Sequence, residues 1–391
     1  VSRRHLFVSL CSMVFLVNFG RVVFAPLLEP LAADFGVTVG SLGVVASAAW
    51  VGSALPRVPT GWLLTKTTRA RVVAGAGGVL FTAALLTAFA PTIPLLTVGA
   101  FLMGLASGAY FIAANPLVSE LFPSMVGRML GIHGMASQLA AAGAAVIVTV
   151  ILFVGDWQLT FLVVAVAAAL ATAGFVVAAR QATLPDAGTQ DRDLLGATRA
   201  QWHIVATGIV VVGTVGFVWN GLFNFYPTYM RVKGLEPATA DLMLSVLFGA
   251  GVPAFLVTAR LADRIPNVPL LLGVVVAFAT SLLLLTVTTG LWPLVAVTAL
   301  VGYVIHAMFP AADTYLLASL PDHHRASAYT AYSAVAMLVQ AGGSAVVGWL
   351  ADSGVAFDAL FGVAGGALVV VFLCLVGLHA TDRLPAGRVP T

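Results

Sequence analysis

The run Gly104-Leu105-Ala106-Ser107-Gly108-Ala109-Tyr110-Phe111-Ile112-Ala113-Ala114-Asn115 carries no charge. It returns 198 residues later as Gly302-Tyr303-Val304-Ile305-His306-Ala307-Met308-Phe309-Pro310-Ala311-Ala312-Asp313. Both copies share the leading glycine and the Phe-x-Ala-Ala pattern, and each ends on a side chain that can hydrogen-bond. The same offset lays Gly61-Trp62-Leu63-Leu64-Thr65-Lys66 on Ala259-Arg260-Leu261-Ala262-Asp263-Arg264, and Pro123 on Pro321. One offset serving separated segments points to a chain built twice from one plan.

The surrounding composition says what that plan is made of. The 391 residues are 60% apolar and only 8% charged, and the mean hydropathy is +1.05. A soluble domain carries about 25% charged residues, so a water-soluble globule is excluded. A spanning helix needs about 20 apolar residues. Charged and turn-forming residues cut the chain into twelve such segments, near 6–28, 41–63, 72–90, 94–118, 128–153, 158–180, 202–229, 240–260, 268–288, 292–318, 326–350 and 358–380. Barrel strands would be near ten residues and alternating; these are helices, which satisfy every backbone group in lipid. The fold class is an all-α membrane protein of twelve transmembrane helices in two pseudo-symmetric six-helix bundles.

Basic residues set the expected orientation. With the first residue inside, fourteen Lys and Arg fall in inner segments and only Arg231 and Lys233 in outer ones; Arg21 and Arg57 lie within spans. Both termini are expected on the cytoplasmic side of the cell membrane. The first apolar run holds Arg21 and lacks a cleavage site, so it reads as a retained helix. Trp62, Trp157, Trp202, Trp292 and Trp349 sit near span ends, as an interfacial belt requires. Cys11 and Cys374 make neither a disulfide framework nor a metal-ligand spacing. The polar stretch 181–201, with Pro185, Gly188 and several charges, divides a first bundle (1–180) from a second (202–391).

Ionisable groups inside lipid cost roughly 2.5–3.5 kcal/mol each, so they face a protein interior or a wet cavity. Asn18 and Arg21 lie in the first span, Arg57 in the second, Asn115 in the fourth, and His133 and Gln138 in the fifth. Asn220 and Asn224 lie in the seventh, His306 and Asp313 in the tenth, and Gln340 in the eleventh. Spans three, six, nine and twelve have none in their interiors, which suits an outer, lipid-facing scaffold.

This arrangement resembles the major facilitator superfamily. The signature of that family between spans two and three, and again between eight and nine, is Gly-x-Leu-Ala-Asp-Arg-x-Gly-Arg-Lys. Gly61, Leu63, Lys66 and Arg69 match its first copy, where Thr65 replaces the aspartate; Leu261, Ala262, Asp263 and Arg264 match its second. Glu120, Pro123 and Arg128 form a further family-like element after span four. The resemblance implies secondary transport by alternating access, a central site near mid-membrane between the halves, and a cytoplasmic charge latch. Asp263, Arg264, Glu120 and Arg128 occupy the latch positions; solvated loop charges are the alternative.

Arg21 stands one turn from Asn18 on the same helical face. A guanidinium is permanently charged and binds a carboxylate through two parallel hydrogen bonds, so Arg21 is the candidate anion anchor; an internal salt bridge or snorkelling is the alternative. Asp313 and His306 share one face of span ten, about 10 Å apart. A carboxylate withdrawn from water takes up and releases protons near neutrality, and histidine titrates there already, which makes them proton-coupling candidates; a fixed arginine partner for Asp313 and a structural histidine at His306 are the alternatives. Asn115, Asn220, Asn224, Tyr226 and Gln340 are candidate substrate contacts, with interhelical bonding as the alternative. Tyr329, Ser333 and Gln340, and likewise His133 and Ser137, form polar stripes at helical spacing. Arg57 is expected to snorkel, and Gly104-xxx-Gly108 and Gly127-xxx-Gly131 to pack closely.

No P-loop, no metalloprotease motif and no mid-span lysine appears. The protein is therefore expected to be no enzyme, with no cofactor or metal. Its partners are a small-molecule substrate, protons and the bilayer, not nucleic acid, and it is expected to be a monomer. Proton-coupled uptake of a small organic or inorganic anion is the leading expectation. A proton-driven exporter of drugs or hydrophobic metabolites is the competitor, and a transport-inactive sensor or assembly subunit on the same fold is a third reading.

Overall fold

A computed structural model describes residues 3–122, 126–181, 194–262 and 264–384. Among them every regular element is helical. Contacts divide the chain into two compact units, Val1–Asp191 and Arg192–Thr391. The first holds α1 (Arg3–Val22), α2 (Phe24–Phe35), α3 (Gly43–Ala54), α4 (Arg57–Leu63), α5 (Arg69–Ala88), α6 (Ile93–Leu121), α7 (Val126–Leu152) and α8 (Trp157–Arg180). The second holds α9 (Leu194–Ala200), α10 (Trp202–Gly208), α11 (Thr214–Asn224), α12 (Tyr226–Val232), α13 (Pro237–Gly249), α14 (Gly251–Ala262), α15 (Asn267–Val287), α16 (Leu291–Ser319), α17 (Asp322–Asp352) and α18 (Phe357–Ala380). A single π turn, Ile209–Gly213, joins α10 to α11.

Among the described residues, eleven helical stretches are long and apolar enough to cross a membrane, α10 with α11 and α13 with α14 each counting as one. One further candidate, the second span Gly40–Leu63, meets that test together with α2, from which it is bent by 119°. It is itself interrupted at Pro56, which has no N–H to give the helical ladder. The first span also runs longer than its apolar stretch suggests, because α2 continues beyond a break at Val23 until Gly36 ends it in the left-handed region at φ 64°. The stretch 182–193 lies outside the described residues, whereas the rest of the polar connection is helical as α9.

The two units repeat one packing scheme. In the first, α1 packs on α7, α3 on α6, and α5 on both α6 and α8; in the second, α11 packs on α17, α13 on α16, and α15 on both α16 and α18. The repeat reaches atomic detail. A Cβ at Gly104 would collide with the carbonyl of Ala49, and one at Gly302 with that of Leu247. Ala49 and Leu247 are again 198 residues apart. Only glycine lets α6 and α16 approach these backbones so closely. Gly108 does the same against the carbonyl of Ser53, but Gly131 meets nothing and faces open space.

The outer faces of α8 and α18 expose Val166 and Leu170, and Val363 and Val370, as lipid-facing helices do. Trp62, Trp202, Trp292 and Trp349 are also exposed. Trp157 departs from the expected belt: only 4% exposed, it packs on Phe35 and Phe161. Its indole Nε1 donates to Asp34 Oδ2 at 2.9 Å. A carboxylate across the unit has drawn it into the core.

Candidate substrate and proton sites

Arg21 is assembled from three helices of the first unit. Its Nη2 donates to Asn18 Oδ1 at 2.6 Å and its Nη1 to Ser53 Oγ at 3.4 Å. The Asn18 amide is oriented from its other end, because Nδ2 donates to the Ser137 carbonyl at 2.7 Å, which turns Oδ1 toward the guanidinium. Trp50 lies under the guanidinium at 4.3 Å and Phe111 at 5.9 Å, cation–π distances. The buried Nε has no partner, and no carboxylate among the described residues pairs with Arg21. The salt-bridge alternative is thereby removed within this unit. Arg57 donates from Nε to the Ser53 carbonyl, one turn back on its own span, at 3.4 Å.

Below this group, Tyr110 donates its hydroxyl to the Leu10 carbonyl at 2.6 Å. That spends its only proton, so the 2.9 Å contact with His133 Nε2 is a bond donated by the histidine. Ser137 belongs to the same face of α7 through its carbonyl bond to Asn18. Asn115, on α6, is exposed, and its side chain makes no hydrogen bond among the described residues.

In the second unit, Asn220 and Asn224 are fully buried on α11. Asn224 Nδ2 donates to Ser344 Oγ at 2.8 Å and to the Asn220 carbonyl at 2.9 Å, and Ser344 Oγ donates to Asn220 Oδ1 at 2.7 Å. This network clips α11 to α17, where a Cβ at Gly343 would strike the Phe217 carbonyl. Asn220 Nδ2 and Asn224 Oδ1 remain buried without partners. Gln340 packs flat over Gly216, whose missing side chain makes room for it. Tyr226 donates to Thr298 Oγ1 at 2.7 Å, since the threonine spends its own proton on the Leu294 carbonyl.

Asp313 accepts a hydrogen bond from Tyr329 at 2.6 Å and no arginine pairs with it among the described residues. His306 sits apart from it in an aromatic box of Trp219, Phe248, Phe255 and Phe309. Its Nδ1 donates to the Gly302 carbonyl at 2.7 Å. Gly251 completes the box, since a Cβ there would press into the imidazole.

Of the four latch positions, Asp263 and the side chain of Arg128 lie outside the described residues, and Arg264 is exposed. Glu120 forms an ion pair with Arg69 at 2.6 Å, joining the ends of α6 and α5. The two basic residues assigned to outer connections are both paired, Arg231 with Asp241 at 2.9 Å and Lys233 with Asp358 at 2.8 Å. Lys233 also reaches the Thr286 carbonyl at 2.6 Å, and Tyr229 donates to Asp358.

Trp50, Ser53, Tyr110 and Ser344 were not among the residues singled out by the sequence. A signal for the first existed: of seven tryptophans, only Trp50 and Trp219 fall in mid-span. Those two lie under Arg21 and against His306.

Comparison with known proteins agrees with this architecture. The gentisate transporter of Corynebacterium glutamicum is 25% identical over 305 residues, 74% of this chain and 68% of that protein. The galactose-proton symporter of Escherichia coli is 29% identical over 152 residues, 38% of this chain and 32% of that protein. The inward-open structure of the xylose transporter XylE from E. coli superposes with a TM-score of 0.78 at 14% identity, covering 96% of each chain, which speaks for the fold. The family model of the Major Facilitator Superfamily matches residues 10–291 and 234–390. With that match spanning nearly the whole length, the chain belongs to the Major Facilitator Superfamily, and it is a multi-pass membrane transporter rather than an enzyme.

Proposed function

We propose that this transporter couples the uptake of a small organic anion to protons by alternating access, working as a monomer with both termini in the cytoplasm. Arg21 anchors the anion and Asp313 carries the proton. The observation that carries the reading is the state of Arg21. A permanently charged group in a membrane span is held by two neutral oxygens, with one edge unengaged and no carboxylate paired with it among the described residues. Neutral partners orient a charge but do not cancel it, whereas a bound anion offsets the cost of burying it.

Support of a different kind comes from the relatives, one named for an organic acid and one for coupling to protons. Asp313 is suited to proton traffic because its partner is a neutral phenol, so either charge state is accommodated. His306, walled by aromatic rings and bonded to the Gly302 carbonyl, is better suited to packing α16 than to carrying the proton itself. The Arg69–Glu120 pair, with Arg264 and Asp263, belongs to the cytoplasmic latch.

The test is uptake of labelled gentisate into proteoliposomes. Arg21→Gln abolishes it while leaving a monodisperse, thermally stable protein. Uptake at the original rate by that variant would overturn the anchor role.

A further inference from the structure

Of the two rings beside the Arg21 guanidinium, Trp50 is buried, whereas Phe111 is half-buried and keeps part of its surface open. Phe111 leans edge-on against Tyr110, with 5.9 Å between the ring centroids. Tyr110 is itself anchored by its bond to the Leu10 carbonyl, so the ring surface beside Arg21 rests on a fixed support. Asn115 follows Phe111 by four residues on α6, hence on the same helical face and about 6 Å further along the axis. It is exposed, and its carboxamide has no hydrogen bond among the described residues. An amide turned to hydrocarbon without a partner is costly, so this one is placed to meet water or a solute. A guanidinium, an open aromatic ring and an unengaged carboxamide thus follow one another within the first unit. The first step is 5.9 Å and the second is one helical turn.

Each member of this series selects a different part of a ligand. The guanidinium takes one carboxylate. A ring lying against Phe111 gains more than the plain burial of its area. The carboxamide can donate to a hydroxyl or accept from one. A benzene ring is rigid, so a hydroxyl meta or para to its carboxylate is held away from the guanidinium, toward Asn115, whereas an ortho hydroxyl stays beside the carboxylate. Resting on the anion-carrier reading above, we infer that the substrate class is a monocarboxylate on a hydroxylated aromatic ring, gentisate among them, with its carboxylate on Arg21, its ring on Phe111 and a remote hydroxyl on Asn115. Arg21 then supplies affinity for any small carboxylate, Phe111 the preference for an aromatic ring, and Asn115 the preference for the hydroxyl and its position.

The experiment is direct titration of the purified full chain in detergent, at neutral pH, with cyclohexanecarboxylate, benzoate, meta-hydroxybenzoate and salicylate, all of which carry one negative charge. The wild type binds benzoate about fivefold more tightly than cyclohexanecarboxylate, the scale of one ring contact. It binds meta-hydroxybenzoate about fivefold more tightly than benzoate, the scale of one hydrogen bond. Salicylate, whose hydroxyl is ortho, gains nothing over benzoate. Phe111→Leu brings the first ratio close to one and Phe111→Tyr keeps it; Asn115→Ala brings the second close to one. Arg21→Gln weakens all four anions together. Equal binding of the four by the wild type, an unchanged first ratio in Phe111→Leu or an unchanged second ratio in Asn115→Ala overturns the substrate class and leaves the anchor standing. Unaltered binding of every anion by Arg21→Gln overturns the anchor itself.

Discussion

The Tyr329 hydroxyl on α17 reaches the Asp313 carboxylate on α16 at 2.6 Å, so the acid is held by a group that carries no charge of its own. A neutral partner leaves the carboxylate free to change its protonation without stranding a cation. Replacing it with the isosteric amide removes the proton site and preserves the shape. Asp313→Asn is therefore expected to keep substrate exchange across proteoliposomes while losing accumulation driven by a pH gradient. Counterflow and gradient-driven uptake measured on one preparation separate the two, and normal accumulation rejects the assignment.

The glycine contacts of the repeat predict a stability pattern. Gly104→Leu and Gly302→Leu force side chains into the carbonyls of Ala49 and Leu247, a clash costing at least the ~1–3 kcal/mol of an overpacked core. Gly131→Leu meets open space and leaves the melting temperature within a degree or two. Equal behaviour of the three would refute the claim that helix approach, rather than glycine content, is what matters.

Tryptophans at span ends are expected to differ sharply in cost. Trp157→Ala empties a buried site and loses the Asp34 bond, for about 3–5 kcal/mol. Trp292→Ala, 77% exposed, costs about 0.5 kcal/mol or less. Thermal denaturation of both variants in the same detergent checks the difference.

Ser344 holds two asparagines at once. Ser344→Ala leaves Asn220 Oδ1 and Asn224 Nδ2 each short of a bond, at a cost of about 1–2 kcal/mol where helices meet inside a membrane. Ser344→Cys, of similar size but a weaker hydrogen-bonder, is expected to fall between the two. A melting temperature unchanged in the alanine variant would show the network to be incidental.

Much of the fold was legible because lipid leaves so few options: an uncharged run of twenty residues has to be a helix. The offset of 198 residues was visible in Gly104 and Gly302, and the structure shows why those glycines recur. Asn18 and Arg21 were readable as a pair since they lie one turn apart on a single helix. Ser53 and Ser344 were not, because their partners stand 32 and more than 100 residues away and a serine in a span is unremarkable by itself. Trp157 misled for the opposite reason, since its position near a span end is the same whether it faces lipid or, as here, an acid on another helix.

The wide turn Ile209–Gly213 has a further bearing on the second bundle. A π turn accommodates one residue more than an α-turn, and each residue advances a helix by about 100°. Deleting one of its valines would let the turn close to an α-turn and leave Trp219, Asn220 and Asn224 facing His306 and Ser344. The azimuth of this polar ladder is thus buffered against a one-residue loss at the wide turn, whereas the same loss early in α11 would rotate the ladder by about 100°.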